Sequence, residues 1–135
     1  MRIEPIALSL ALIAAAAGTA QTAEPLACRL DALNASQREK HEALGKKLMS
    51  AVVKTSELPD GYALSLDLKK LGVDARGEPW CVVEVAQWAD LESRCCPFLD
   101  FGIELQGKGA LVTLRLTGGP GVKDFLKTEL GLNAS

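Results

Sequence analysis

The chain has 135 residues, of which 48% are apolar and 24% are charged, so its composition fits a single globular domain and excludes an intrinsically disordered protein. Its formal net charge is −2, and its lysines and arginines alternate with acidic residues. Because a nucleic-acid interface needs a clustered basic surface, no nucleic-acid partner is expected.

The N-terminal segment differs in composition from the rest of the chain. A positively charged start is followed by an apolar run over residues 6–17 and then by small residues. This pattern predicts a secretory signal peptide over residues 1–23, cleaved near Ala20 or Ala23, with an uncleaved membrane anchor as the alternative. We therefore expect a single periplasmic or secreted domain over residues 24–135 with no membrane contact after cleavage, and the sequence leaves its oligomeric state open.

The first predicted element of this domain is a helix over residues 36–53. Ser36 and Glu39 have the S-x-x-E spacing of a capping box, which places the start of the helix at Ser36. Leu44 and Leu48 mark its buried face by helical spacing, and His41 falls on the same face.

Two hairpins follow from alternating apolar and polar residues. The first joins predicted strands Val52–Glu57 and Tyr62–Leu68 through Leu-Pro-Asp-Gly, whose proline and glycine suit a tight turn. The second joins Phe98–Gln106 and Ala110–Thr117 through a Gly-Lys-Gly turn.

Two more helices complete the pattern. One is predicted from Pro79 to Cys96, which places Cys81 on its apolar stripe as a small buried side chain, and the other closes the chain over Val122–Leu130. The order αββαββα predicts an α+β fold with a mostly antiparallel four-stranded sheet and helices packed on one face.

The most unusual feature is a pair of adjacent cysteines at the end of the second predicted helix. Glu92 precedes Cys95 by three residues and Cys96 by four, so the carboxylate and both sulfurs share one helix face. Pro97 cannot continue the helix and disfavours helical geometry at Cys96. The pair is therefore expected at a helix end.

Helix length limits how the four cysteines can pair. Cys81 lies 14 residues before Cys95, which is about 21 Å along a helix axis, whereas a disulfide needs Cα atoms within about 7 Å. Cys28 is therefore the one ordinary disulfide partner, and Cys95, Cys96 and Cys81 all remain open as its mate. With any of these partners, at least one of Cys95 and Cys96 cannot form an undistorted disulfide within the domain.

Two adjacent thiols suit soft acceptors such as Hg, Cu or Zn ions, or arsenite, better than hard cations. We therefore predict a metal site made of Cys95, Cys96 and Cys28, assisted by Glu92 or His41. The alternatives are a non-enzymatic structural or interaction domain with a disulfide to Cys28, and a thiol oxidoreductase, which is disfavoured because no C-x-x-C motif is present. A lone histidine on an apolar face also fits a hydrogen-bonded core residue, and no catalytic residue or cofactor-binding motif is predicted.

The string Glu-Ser-Arg-Cys-Cys-Pro-Phe-Leu over residues 92–99, with the Cys28 segment and Glu57–Leu64, resembles a group of small bacterial proteins associated with heavy-metal resistance. The resemblance covers nearly the whole chain after the predicted signal peptide. It implies that Cys28, Glu92 and the cysteine pair belong to one shared motif, with His41 at a matching position. The export signal departs from that group, which places the thiols in a more oxidising compartment.

Overall fold

The computed structural model describes residues 26–134, so the predicted signal peptide lies outside the described residues. Within them, three helices and four strands follow the order αββαββα, which confirms the predicted α+β fold. No helix in this part of the chain is long and apolar enough to cross a membrane. The elements are α1 (Ala35–Ser50), β1 (Val52–Leu58), β2 (Gly61–Asp67), α2 (Val82–Cys95), β3 (Leu99–Gln106), β4 (Leu111–Gly118) and α3 (Val122–Glu129).

The four strands form one antiparallel sheet in the order β1-β2-β4-β3. Its two central strands pair Tyr62 with Leu116 and Leu64 with Leu114, and all four side chains are buried on one face. The residues between them are more exposed, as a sheet covered on one side requires. Burying each leucine contributes about 2 kcal/mol from the apolar surface removed from water, so this face supplies much of the stability.

The first hairpin turns where the sequence predicts, and Gly61 at its end lies against the neighbouring strand β4. A Cβ atom at this position would lie 1.9 Å from the carbonyl oxygen of Leu116 on the neighbouring strand. Only a residue without a side chain lets β2 approach β4 this closely.

Helix α1 begins earlier than predicted, and the predicted capping box was wrong. Asn34 is the N-cap: its side chain accepts from the Gln37 amide at 2.8 Å, and the Gln37 side chain accepts from the Asn34 amide at 2.9 Å. Asparagine caps as well as serine, and glutamine can fill the third position as well as glutamate. The helix also ends at Ser50 rather than Val53, because Val52 already pairs with Leu66 in the sheet.

Helix α2 begins later than predicted, which overturns the prediction for Cys81. Pro79 forms an isolated β-bridge with Val73 instead of the first helical turn. Cys81 becomes the N-cap, where its amide donates to the Glu84 carboxylate at 2.9 Å. Its side chain is exposed rather than buried, since an N-cap residue lies outside the helical stripe.

Candidate functional site

The last turn of α2 places one carboxylate and two sulfurs together. The helix ends at Cys95, and Cys96 leaves helical geometry while its amide still donates to the Glu92 carbonyl at 2.7 Å. Pro97 follows and prevents a further turn. The predicted helix end and the shared face of Glu92 and the cysteine pair are therefore both observed.

The segment before α1 brings the third sulfur to this helix end. The Arg29 amide donates to the Cys95 carbonyl at 2.7 Å, and Leu33 anchors the segment in the core with 2% of its surface exposed. Cys28 is disulfide-bonded to Cys96, with Cα atoms 4.8 Å apart. Of the three mates left open by the sequence, the structure selects Cys96.

The resulting cluster contains four of the five predicted ligand residues. One ligand atom from each of Cys28, Glu92, Cys95 and Cys96 lies within 4.8 Å of the others. The sulfurs of Cys95 and Cys96 are 3.9 Å apart, and one Glu92 oxygen lies 3.3 Å from the Cys96 sulfur. A disulfide sulfur carries no proton, so this last approach is a contact in the oxidised form and becomes a hydrogen bond when Cys96 is a thiol.

His41, the fifth predicted ligand, reaches the cluster through Glu92. Its Nε2 atom contacts the second oxygen of the Glu92 carboxylate, which is buried with 3% of the residue exposed. The imidazole is also stacked on Trp88, with ring planes 9° apart and centroids 6.1 Å apart. A Cβ atom at Gly45 would lie 3.1 Å from the indole Nε1, so this glycine gives the indole its space. His41 thus partners the one buried carboxylate of the cluster.

Cys95 keeps a free thiol, unlike its neighbour. It is fully buried, and its sulfur lies within weak hydrogen-bonding distance of the Leu91 and Glu92 carbonyls, at 3.5 and 3.4 Å. Burial, followed by the negative charge of Glu92, raises the pKa of the Cys95 thiol to about 11. In the disulfide form, Cys95 is therefore a neutral thiol at physiological pH.

A cavity of about 1010 Å³ opens beside the cluster between the three helices. Cys28, His41 and Glu92 lie on its wall, together with apolar side chains of Met49, Trp88, Phe125 and Leu130. Cys95 and Cys96 do not line it, and both are fully buried. Of the two disulfide-bonded residues, Cys28 therefore lines the cavity and Cys96 does not.

This cavity was not predicted from the sequence. Its walls come from elements far apart in the chain, and only two local signals hinted at it. One is Gly45 in the middle of a helix, where glycine is unfavourable unless a close approach requires it. The other is the apolar face of α3, which carries Phe125.

No protein-family model, curated protein or solved structure matches the chain. Function is therefore inferred from the geometry and chemistry of these residues.

Proposed function

We propose that this chain is an exported protein whose reduced form binds a soft metal ion or metalloid. The ligands are the sulfurs of Cys28, Cys95 and Cys96, with the Glu92 carboxylate beside them and His41 supporting that carboxylate. The observation that carries the proposal is the convergence of these sulfur and oxygen atoms within 4.8 Å.

The spacing of the sulfurs supports metal coordination. In a tetrahedral site with metal–sulfur bonds of about 2.3 Å, neighbouring sulfurs are about 3.8 Å apart. The Cys95 and Cys96 sulfurs are separated by 3.9 Å without any movement of the backbone. Thiolate ligands favour Cu, Zn and Hg ions and arsenite over hard cations such as magnesium, which prefer oxygen.

The burial of the cluster also supports binding of a soft ion. Cys95, Cys96 and Glu92 are almost completely removed from water, so few water molecules compete for an ion held among them. His41 holds the Glu92 carboxylate in place, as a partner in the outer shell of a metal site does. Each thiol must lose its proton on binding, so uptake releases protons and weakens in acid.

The oxidation state decides whether the site can form. The bond between Cys28 and Cys96 joins two of the three sulfur ligands, so the disulfide form has only Cys95 as a free thiol in the cluster. Export, proposed from the N-terminal sequence, favours that disulfide form. Binding by all three sulfurs therefore requires that the disulfide first be reduced.

The second candidate function is a non-enzymatic structural or interaction domain stabilised by the disulfide. The specific observation in its favour is the Cys28–Cys96 bond itself, which links the N-terminal segment to the end of α2 across 68 residues. In that case Cys95 is a small buried core residue, and half-buried His41 is the hydrogen-bond partner of buried Glu92. The two candidates differ in what the reduced protein does with metal.

The test is metal uptake by the reduced protein without its signal peptide. We expect one Hg(II), Zn(II) or Cu(I) ion, or one arsenite, per chain by native mass spectrometry, with three cysteines protected from maleimide. The oxidised protein is expected to take up none at the cluster.

A matched pair of variants identifies the site. Cys95→Ser and Cys81→Ser each remove one free thiol and leave the disulfide intact. We expect Cys95→Ser to weaken binding by at least about tenfold, since even partners outside the first ligand shell change affinity on that scale, and Cys81→Ser to leave it unchanged. Equal losses in the two variants, or no uptake by the reduced protein, would favour the structural domain.

A further inference from the structure

The two sulfurs of the disulfide face different surroundings. Cys28 is half-buried and lies on the wall of the cavity, whereas Cys96 is fully buried and does not line it. Thiol–disulfide exchange requires a thiolate to approach one sulfur, and access decides which sulfur reacts. The cavity therefore leads an incoming thiol to Cys28 and away from Cys96.

We propose that the cavity is a thiol–disulfide exchange site, at which a low-molecular-weight thiol of the glutathione class attacks Cys28 and expels Cys96. The cavity volume of about 1010 Å³ is at the upper end of the range for small-molecule pockets, so a tripeptide-sized thiol fits. The exchange does not depend on metal binding, because it concerns only how the disulfide opens and closes.

The chemistry balances in two steps. The incoming thiolate forms a bond to the Cys28 sulfur, the Cys28–Cys96 bond breaks, and its electron pair stays on the Cys96 sulfur. That sulfur lies 3.3 Å from a Glu92 oxygen and takes up the proton that the incoming thiol lost on ionising. A second thiolate then attacks the bound thiol, releases it as its own disulfide and leaves Cys28 reduced. Two external thiols are oxidised to one disulfide, the two protons they lose end on the Cys96 and Cys28 sulfurs, and the protein gains two electrons and two protons.

Cys95 does not compete effectively with the external thiol. Its sulfur is 3.9 Å from the Cys96 sulfur, but it is fully buried and does not line the cavity. Attack on Cys96 would also create a bridge between adjacent residues, which distorts the peptide bond that joins them. The cavity therefore determines that the external thiol attacks the Cys28 sulfur.

The first experiment measures the reverse of the second step, in which a protein thiol attacks oxidised glutathione, and it reports which of the two sulfurs a small molecule can reach. In a Cys81→Ser background, the variant Cys95→Ser/Cys96→Ser keeps only Cys28, and Cys28→Ser/Cys95→Ser keeps only Cys96. Both are incubated with oxidised glutathione, and the mixed disulfide is followed by mass spectrometry. We expect the Cys28 protein to react at least about tenfold faster, since only its sulfur is accessible. Equal rates, or a faster Cys96 protein, would overturn the proposal.

The second experiment keeps the disulfide intact and therefore does not depend on the folding of cysteine variants. Leu30 lines the cavity and Leu105 lies on β3 outside it, and each is 53% exposed. Leu30→Trp narrows the cavity, so we expect reduction by glutathione to slow several-fold. Leu105→Trp is the matched control and should reduce at the wild-type rate. Identical rates in both variants would show that the cavity is not the route of attack.

Discussion

Loss of the disulfide is expected to cost a large part of the stability of the domain. The bond closes a loop between residues 68 positions apart. For a loop of this length, the chain-entropy relation gives about 4 kcal/mol at 25 °C, because the bond removes conformations that the unfolded chain would otherwise sample. Cys28→Ser should lower the free energy of unfolding by that amount.

Urea denaturation followed by circular dichroism measures this effect. With an m-value of about 1.5 kcal/mol/M, typical of a domain of this size, the midpoint should fall by about 2.5–3 M. Reduction of the wild-type protein with dithiothreitol should produce a loss of the same size and should leave Cys28→Ser unchanged. A loss of stability below about 1 kcal/mol in both comparisons would refute the reasoning. It would mean that the bond does not restrict the unfolded chain as the chain-entropy relation requires.

Three further predictions concern the surroundings of the site. His41→Ala should destabilise the fold by about 2 kcal/mol in urea denaturation, because it leaves a buried carboxylate without its partner. Gly61→Ala should lower the melting temperature by about 10 °C or more, on the order of 2–3 kcal/mol, whereas Gly119→Ala should have little effect, since a Cβ atom there would meet open space. Between about pH 9 and 11, stability should fall, because folded Cys95 holds its proton up to a pKa of about 11 while the unfolded thiol loses its proton near its ordinary pKa.

Each of these predictions has its own control. The control for His41→Ala is Lys46→Ala, which breaks the exposed ion pair of Lys46 with Glu42. This control should lower the free energy of unfolding by less than about 0.5 kcal/mol. A Gly119→Ala loss as large as that of Gly61→Ala would contradict the role of close approach at Gly61. Cys95→Ala isolates the thiol from other groups that titrate in alkali, and an unchanged pH dependence in this variant would show that Cys95 does not cause it.

The parts of the fold that depend on neighbouring residues could be predicted from the sequence. The first hairpin was placed correctly because proline and glycine in residues 58–61 fix the turn locally. The end of α2 was placed correctly because Pro97 stops a helix wherever it occurs. Such signals act within a few residues and need no knowledge of the tertiary structure.

The errors arise where distant segments decide the local structure. The chain around Pro79 could have begun a helix, but its bridge to Val73 holds it extended, and this moves Cys81 to an exposed cap. Similarly, Asn34 and Ser36 are both acceptable caps, and the sequence alone does not rank them. Local helix propensity permits several start positions for a helix, and tertiary contacts select one of them.

The sequence predicts that Cys28, Glu92, Cys95 and Cys96 lie together, as they do, but not which sulfurs are bonded, and their role as metal ligands stays a prediction. The spacing of three and four residues places Glu92, Cys95 and Cys96 on one helix face. Because Cys81 is too distant along the helix, Cys28 is left as the cysteine that can join them. Cys28 is bonded to Cys96 in a segment whose next residue, Arg29, donates its amide to the Cys95 carbonyl. No local pattern in the sequence encodes that contact.

The central proposal is that three sulfurs of the reduced protein share one soft ion, and X-ray absorption at the metal edge tests it most directly. The measurement uses reduced protein loaded with one equivalent of Zn(II), in a Cys81→Ser background so that the exposed thiol cannot contribute. We predict three sulfur neighbours at about 2.3 Å and one lighter neighbour at about 2.0–2.2 Å. A shell of nitrogen and oxygen atoms alone, or of a single sulfur, would contradict the account.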